Sequence, residues 1–515
     1  MKAVAAVVVL VGTVVVLLGL FMEGSLLSME RQPGQHAQAT GAHNTDTTST
    51  VTWIDWSPPT LLELTQPMAK TAVPDLLSDV YLATVGKLPP KNYDKWVTFA
   101  QERNCPIHPE HYSQMYKDLK PWIDAGRIDH NAFDAIGGAP NEWTGSHFTG
   151  PGLTESFDSG GGFNISNNNW KSCLKDDQIK VLFDKRPFRF YFNAMDNPRS
   201  LPSYNASSRF ANRGYDNPRQ VFDDNKCWRD RFGRTSFQVS TGNPVYDLIS
   251  KNISIRETHG YFMNPVPWRS VDAAVPVFSQ CKSDCYADIL MPQHYSVIST
   301  PPFNDPVPWE DKKNVVFWHG TTTGGDYGKD IPWRKYHRFR LVQWAKDYGK
   351  KYPKRIFDAA SNDPIPEHLG VDIGFSGLVF SFDDDKEFFK KEYGIKKFYD
   401  FTPTLQFKYL VVVDGHTWPG RLQKFLMTNS VILYNGVFID WWNARLKPWV
   451  HYVPIQVDFS DMEEKLEWLI ANDDKAKQIA MNAQALVKQM SRYEEAMCYT
   501  GLLMTEYVDL YFKGK

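Results

Sequence analysis

The chain has 515 residues, enough for two domains behind an N-terminal extension. Hydrophobic residues at 42% and aromatic residues at 14% can fill substantial cores. A formal net charge of −2 gives no global case for nucleic acid or an anionic membrane surface as a partner. The 17 Trp fit sugar-stacking surfaces, although a core or interface place is the commoner one for any single Trp.

Ala3 to Met22 is a mostly apolar run without charge. At about 1.5 Å of helical rise per residue it just crosses a hydrocarbon layer of roughly 30 Å. It is read as a membrane anchor within residues 1–30. Lys2 precedes it and Glu23 and Glu30 follow, which puts the body on the lumenal side by the positive-inside rule. The rival reading is a cleaved signal peptide; the length of the run and the lack of a clear small-x-small site favour the anchor. Either reading sends the body into the secretory pathway. Residues 31–60, rich in Gln, Thr, His and Gly, read as a flexible stem.

In that compartment the six cysteines (Cys105, Cys173, Cys227, Cys281, Cys285, Cys498) are expected to pair, with connectivity left open. No Cys or His spacing suits zinc, so no metal site is expected. Sequons at Asn164, Asn205 and Asn252 fit lumenal exposure, though about as many arise by chance in such a length.

Residues 61–305 read as a first α/β domain. Leu61 to Tyr116 is helical in pieces, and Gly137 to Asn169 is a long irregular loop. Short apolar runs follow at Lys180 to Phe183, Arg189 to Ala194, Ala274 to Phe278 and Ile289 to Met291. The Pro-rich passage Ser299 to Trp309 reads as a crossing into a second α/β domain, residues 306–490. Its strands are placed at Asn314 to Trp318, Leu378 to Phe382, Tyr409 to Val413 and Val431 to Tyr434. Helices are placed near Tyr336 to Tyr348, Arg421 to Thr428, Met462 to Ile470 and Asp474 to Met490. Residues 491–515, helical from Tyr493 to Phe512, return to the first domain.

Three stretches carry candidate chemistry. In Phe407 to Tyr452, a buried strand meets a tight turn (Asp414, Gly415), a second glycine (Gly420) and Arg421 opening a helix. Such a unit brings backbone N–H groups and a cation to the carboxyl edge of a sheet, where nucleotide phosphates bind; an ordinary βα unit is the bland alternative. Val315 to Gly325 runs a strand into a glycine- and hydroxyl-rich turn that could embrace a diphosphate or simply reverse the chain. Arg189 to Arg199 ends a strand in Asp196, placed to take a proton from a hydroxyl or to cap a turn before Asn197-Pro198. Asp383-Asp384-Asp385 imitates a metal-holding DxD, but the helical continuation from Lys386 favours a charged helix start.

Gly420-Arg421, the run Leu446 to Tyr452 and Ala471-Asn472-Asp473 resemble the capsule-associated proteins and Rumi-like protein O-glucosyltransferases, glycosyltransferase family 90. The resemblance extends from about Asn104 onward, and the FWHGTTTGG stretch with the anchor is most similar to fungal capsule-type members. It implies two facing Rossmann-like domains in the GT-B arrangement, and an inverting enzyme that uses a UDP-sugar without cofactor or metal. Asp196 falls at the catalytic base. Gly415, Gly420 and Arg421 fall in the donor site with His319, Gly320, Thr321 and Thr322. The family's arginine before that Gly is His319 here, which leaves His319 or Arg338 to substitute. Asp440 matches an acidic residue for the ribose, while Tyr286, Asp288 and Arg199 fall toward the acceptor and sugar. The resemblance also implies a Cys105–Cys498 bridge. The expectation is a single-pass Golgi or ER enzyme passing xylose to a glycan. The alternatives are UDP-glucose-dependent O-glucosylation of a protein, and a catalytically silent sugar-binding protein.

Overall fold

The computed structural model describes residues 74–128, 153–157, 163–164, 179–183, 187–193, 196, 198, 200–201, 259–263, 271–272, 276–283, 286–292, 302–325, 332–379 and 386–513. The run Ala3 to Met22, the stem, Arg199, Asn205, Asn252, Cys173, Cys227, Cys285 and Asp383 to Asp385 lie outside the described residues. Among the described residues no helix is long and apolar enough to cross a membrane.

The first sheet joins β1 (Leu153–Phe157), β2 (Phe163–Asn164), β3 (Phe188–Asn193), β4 (Val277–Ser279) and β5 (Ile289–Leu290) in the order β2-β1-β3-β4-β5. β1 pairs antiparallel with β2 and β3, whereas β3, β4 and β5 run parallel. Helices α1 (Pro74–Val85), α2 (Tyr93–Glu102) and α3 (Ser113–Ala125) precede it. The run Lys180 to Phe183, read with the strands, is a 3-10 turn at Ile179–Phe183, where Leu182 and Phe183 are buried.

The second sheet holds β6 (Lys313–Thr321), β7 (Gly370–Gly377), β8 (Phe407–Val413), β9 (Val431–Asn435) and β10 (Val453–Pro454), ordered β10-β9-β8-β6-β7 and parallel throughout. All seven residues of β8 are buried, as a central parallel strand covered on both faces requires. The helices are α4 (His337–Lys351), α5 (Lys386–Tyr393), α6 (Leu422–Leu426), α7 (Met462–Ala471) and α8 (Asp473–Met490). α6 is a single turn, shorter than the helix expected from Arg421 to Thr428.

One expected strand is displaced. Leu378 and Val379 follow the strand instead of forming it, and β7 lies upstream in a sequence broken by glycines and Asp372. Its polar residue is satisfied internally, since the buried Asp372 carboxylate meets Lys396 Nζ at 2.9 Å and His319 Nε2 at 3.0 Å. Gly374 leaves room for the Lys396 stem, whose Cγ lies 2.6 Å from where a Cβ would stand.

The last helix, α9 (Tyr493–Lys513), packs under the first sheet. Tyr507 touches Phe188 and Phe278, and Tyr499 Oη donates to the Leu290 carbonyl at 3.1 Å. Trp96 Nε1 donates to the Cys498 carbonyl at 2.9 Å, and Cys105 is disulfide-bonded to Cys498, the expected pair. Cys281 is a buried free thiol, outside the expectation that cysteines pair.

Candidate active site

In the second sheet the chain passes from β6 outward to β7 and then returns to β8 on the other side of β6. Where strand order reverses in this way, the loops leaving the two strands part and open a crevice at their carboxyl ends. The loops that leave β6 and β8 are residues 322–325 and Asp414 to Arg421, the two glycine-containing stretches singled out in the sequence.

Arginines tie these loops together. Arg338, in the first turn of α4, donates Nε to the Asp414 carbonyl at 2.8 Å and a terminal nitrogen to the Thr321 carbonyl at 2.7 Å. It is buried, so its place is that of a brace between the two loops. Arg421 donates to the His319 carbonyl at 2.8 Å and is partly exposed. Burial holds its pKa below the ordinary guanidinium value.

His319 is turned inward. Nδ1 faces the Lys397 carbonyl at 2.8 Å and Nε2 faces Asp372 at 3.0 Å, so both ring nitrogens meet acceptors inside the sheet. Burial would raise the Asp372 pKa, but the His319 hydrogen bond and the charges of His319 and Lys396 hold it below the usual value. The Thr322 hydroxyl bonds the Val379 carbonyl at 2.8 Å and accepts from the Val379 N–H at 2.9 Å, closing the ends of β6 and β7. Gly320 backs onto the Trp318 indole, Thr321 is partly exposed, Gly415 donates its N–H to the Thr417 carbonyl at 2.8 Å, and Gly420 is exposed.

Facing this crevice are the carboxyl ends of the parallel strands of the first sheet. Asn193, ending β3, donates to Ser279 Oγ at 3.2 Å, and Ser279, ending β4, donates to Asp288. Asp288 is fully buried, so its carboxylate belongs to this internal chain and not to a sugar-lining surface. Tyr286 is also buried, with its hydroxyl 3.4 Å from that of Tyr261. Asp440 is buried beside the backbone bridge between Lys282 and Ile439, whose N–H···O distances are 3.0 and 2.7 Å.

Asp196 is exposed just beyond β3, and its backbone carbonyl accepts from Thr417 Oγ1 of the β8 loop and from Cys281 Sγ at 3.2 Å. Burial depresses the pKa of His416, against the pull of the Asp196 carboxylate. The seam continues through His259, which stacks on His337 at 3.9 Å between ring centroids. Burial lowers the pKa values of both rings, and the nearby Arg338 charge acts in the same direction on each. Thr417, Cys281, His259 and His337 escaped the sequence reading because no spacing within one stretch announces a contact between distant segments. Asn164 ends the short strand β2.

The segments that follow β3 and β4 of the first sheet are thus hydrogen-bonded, through the Asp196 carbonyl, to the loop after β8 of the second. Residues 264–513, just under half of the chain, match the family model described as Glycosyl transferase family 90. Similar proteins include Protein O-glucosyltransferase 2 of Danio rerio, 27% identical over 270 residues that cover 48% of this chain and 47% of the relative. Protein O-glucosyltransferase 3 of Homo sapiens is 30% identical over 140 residues, 27% of each chain. Protein O-glucosyltransferase 1 of Rattus norvegicus is 32% identical over 103 residues, 20% of this chain and 26% of the relative. The matches span about half, or less, of the length of these relatives.

Proposed function

We propose that the chain transfers a sugar from a UDP-sugar to an acceptor hydroxyl with inversion, using two Rossmann-like halves in the GT-B arrangement. The observation that carries this reading is the position of Asp196, exposed at the carboxyl end of β3 and bonded through its backbone to the loop after β8. In the proposed reaction the Asp196 carboxylate accepts the proton of the acceptor hydroxyl. The oxygen forms a bond to the anomeric carbon as the bond from that carbon to the β-phosphate oxygen breaks, and the electron pair leaves with UDP. Arg421, at the mouth of the crevice, meets the growing diphosphate charge, with no metal called upon. His319 is committed to Asp372, so it holds the turn from behind while Arg421 supplies the cation.

The donor we favour is UDP-xylose and the acceptor a glycan in the lumen of the Golgi or ER. A second reading, UDP-glucose-dependent O-glucosylation of a protein, is supported by the names of the similar proteins. Release of UDP from a panel of UDP-sugars, with and without a chelator and beside Asp196→Ala, tests both. Release from one donor that survives chelation and disappears in the variant is the expected result. Loss on chelation would bring in a metal and Asp383 to Asp385, while no release from any donor would leave a sugar-binding protein.

A further inference from the structure

The hydrogen bonds to one backbone carbonyl lead beyond the assignment of Asp196 as base. Thr417 Oγ1 and Cys281 Sγ both donate to the Asp196 carbonyl oxygen. Thr417 belongs to the loop after β8 and Cys281 to the segment after β4, so each half of the crevice supplies one donor. Both side chains are buried, Thr417 at 2% and Cys281 at 1% exposure, while Asp196 itself is exposed. A buried donor that loses its acceptor is left unsatisfied at a cost in free energy, so the pair holds the carbonyl in place from two sides. Thr417 is further fixed by its own carbonyl, which accepts from Gly415 N–H at 2.8 Å, and Gly415 sits against Arg338. A continuous set of contacts thus runs from the loop of Gly415 to Arg421, where the donor is proposed to bind, to the backbone of the base.

We infer that Thr417 is a positioning residue for Asp196, with Cys281 as its partner, and that this pair sets the aim of the base from the loop that holds the donor. The inference rests on the reading of Asp196 as the base. The side chain of Thr417 reaches the Asp196 backbone and leaves the carboxylate free for the acceptor. Its loss would therefore slow the chemical step while sparing recognition of the nucleotide. A misplacement of about 1 Å at a reacting group can cost about 100-fold in rate, which sets the scale.

The test compares Thr417→Val, Thr417→Ser, Cys281→Ala and Asp196→Asn in the full chain, with turnover of whichever UDP-sugar the wild type cleaves and binding of UDP alone by calorimetry. Thr417→Val is expected to lower kcat about 10- to 100-fold, with donor KM and UDP affinity within about twofold of wild type. Thr417→Ser, which keeps the hydroxyl, is expected to recover most of kcat, and Cys281→Ala to show a smaller loss because the sulfur bond is the weaker of the two. If Thr417→Val binds UDP normally and turns over like wild type, the inference is overturned. Equal losses in Thr417→Val and Thr417→Ser would also overturn it, because the hydroxyl would then not be the cause. Should Asp196→Asn keep full turnover, the base reading itself has failed, an outcome distinct from the other two. A Thr417→Val chain too unstable to bind UDP hands the decision to Cys281→Ala and Thr417→Ser: a kcat loss at unchanged KM in Cys281→Ala, with Thr417→Ser active, supports the pair, and unchanged kcat in Cys281→Ala overturns it.

Discussion

Asp414 accepts the backbone N–H groups of Val437 at 2.7 Å and Phe438 at 3.2 Å through Oδ2, yet burial outweighs these bonds and the nearby Arg338 charge, pushing its pKa up to about 8. An aspartate in an unfolded chain loses its proton near about 3.9. Between those values the folded chain keeps a proton that the unfolded chain releases. The stabilising contribution is therefore complete below the lower value and drains away as pH rises through the window, by at most about 1.4 kcal/mol per pH unit. Asp414→Asn, whose amide oxygen can accept the same two N–H groups, should become more stable relative to wild type between about pH 5 and about pH 8. Urea unfolding of both proteins at the two pH values measures this, and parallel stabilities would mean that the folded carboxyl is ionised. Arg421 makes a second test at this scale. Its guanidinium holds the His319 carbonyl with one nitrogen and has others for an anion. Arg421→Lys, a point charge without that fork, is expected to weaken UDP binding about tenfold or more in calorimetry. In the sequence, Asp196 at a strand end and Arg421 at a helix start stand out only together with the family resemblance, and the fate of His319 leaves no signal of either kind. Its partner Asp372 stands 53 residues away in a strand disguised by glycines.

The loop after β6 shows how an element is fixed by what it must avoid. Gly324 has φ of +112°, and a Cβ there would lie 2.3 Å from His337 Cε1 and 2.8 Å from the Gly415 carbonyl oxygen. Gly324→Ala therefore meets both backbone strain and backbone contact, and should cost about 1–3 kcal/mol or more. The denaturation midpoint reports the loss, and UDP affinity should fall with it because the two loops are pushed apart. β8 and β9 were legible because a central parallel strand must be apolar on both faces, and β6 because its run is almost continuous. β7 was misplaced for the opposite reason: its buried polar and glycine positions make sense only once Lys396 and His319 lie against it. The contact between Thr417 and Asp196 joins positions 221 apart in the chain and leaves no local signature at all.

Across the whole molecule, the bridge between Cys105 and Cys498 closes a span of 393 residues. In the chain-entropy description a loop of that size restricts the unfolded state strongly, and removing the link should cost about 2–5 kcal/mol. Cys498→Ser, unfolded beside wild type in denaturant, is expected to lose this amount, and wild type with the bridge reduced should match the variant. The helix that carries Cys498 has a further consequence during synthesis. Tyr499, Tyr507 and Tyr511 complete the packing of β3, β4 and β5, and Glu506 receives the hydroxyl of Tyr81 and the ammonium of Lys87 at 2.7 Å. The ribosome makes those strands first and this helix about two to three hundred residues after them. The amino-terminal half therefore waits with this aromatic surface uncovered while the rest is translated, the interval in which exposed apolar surface is open to wrong contacts.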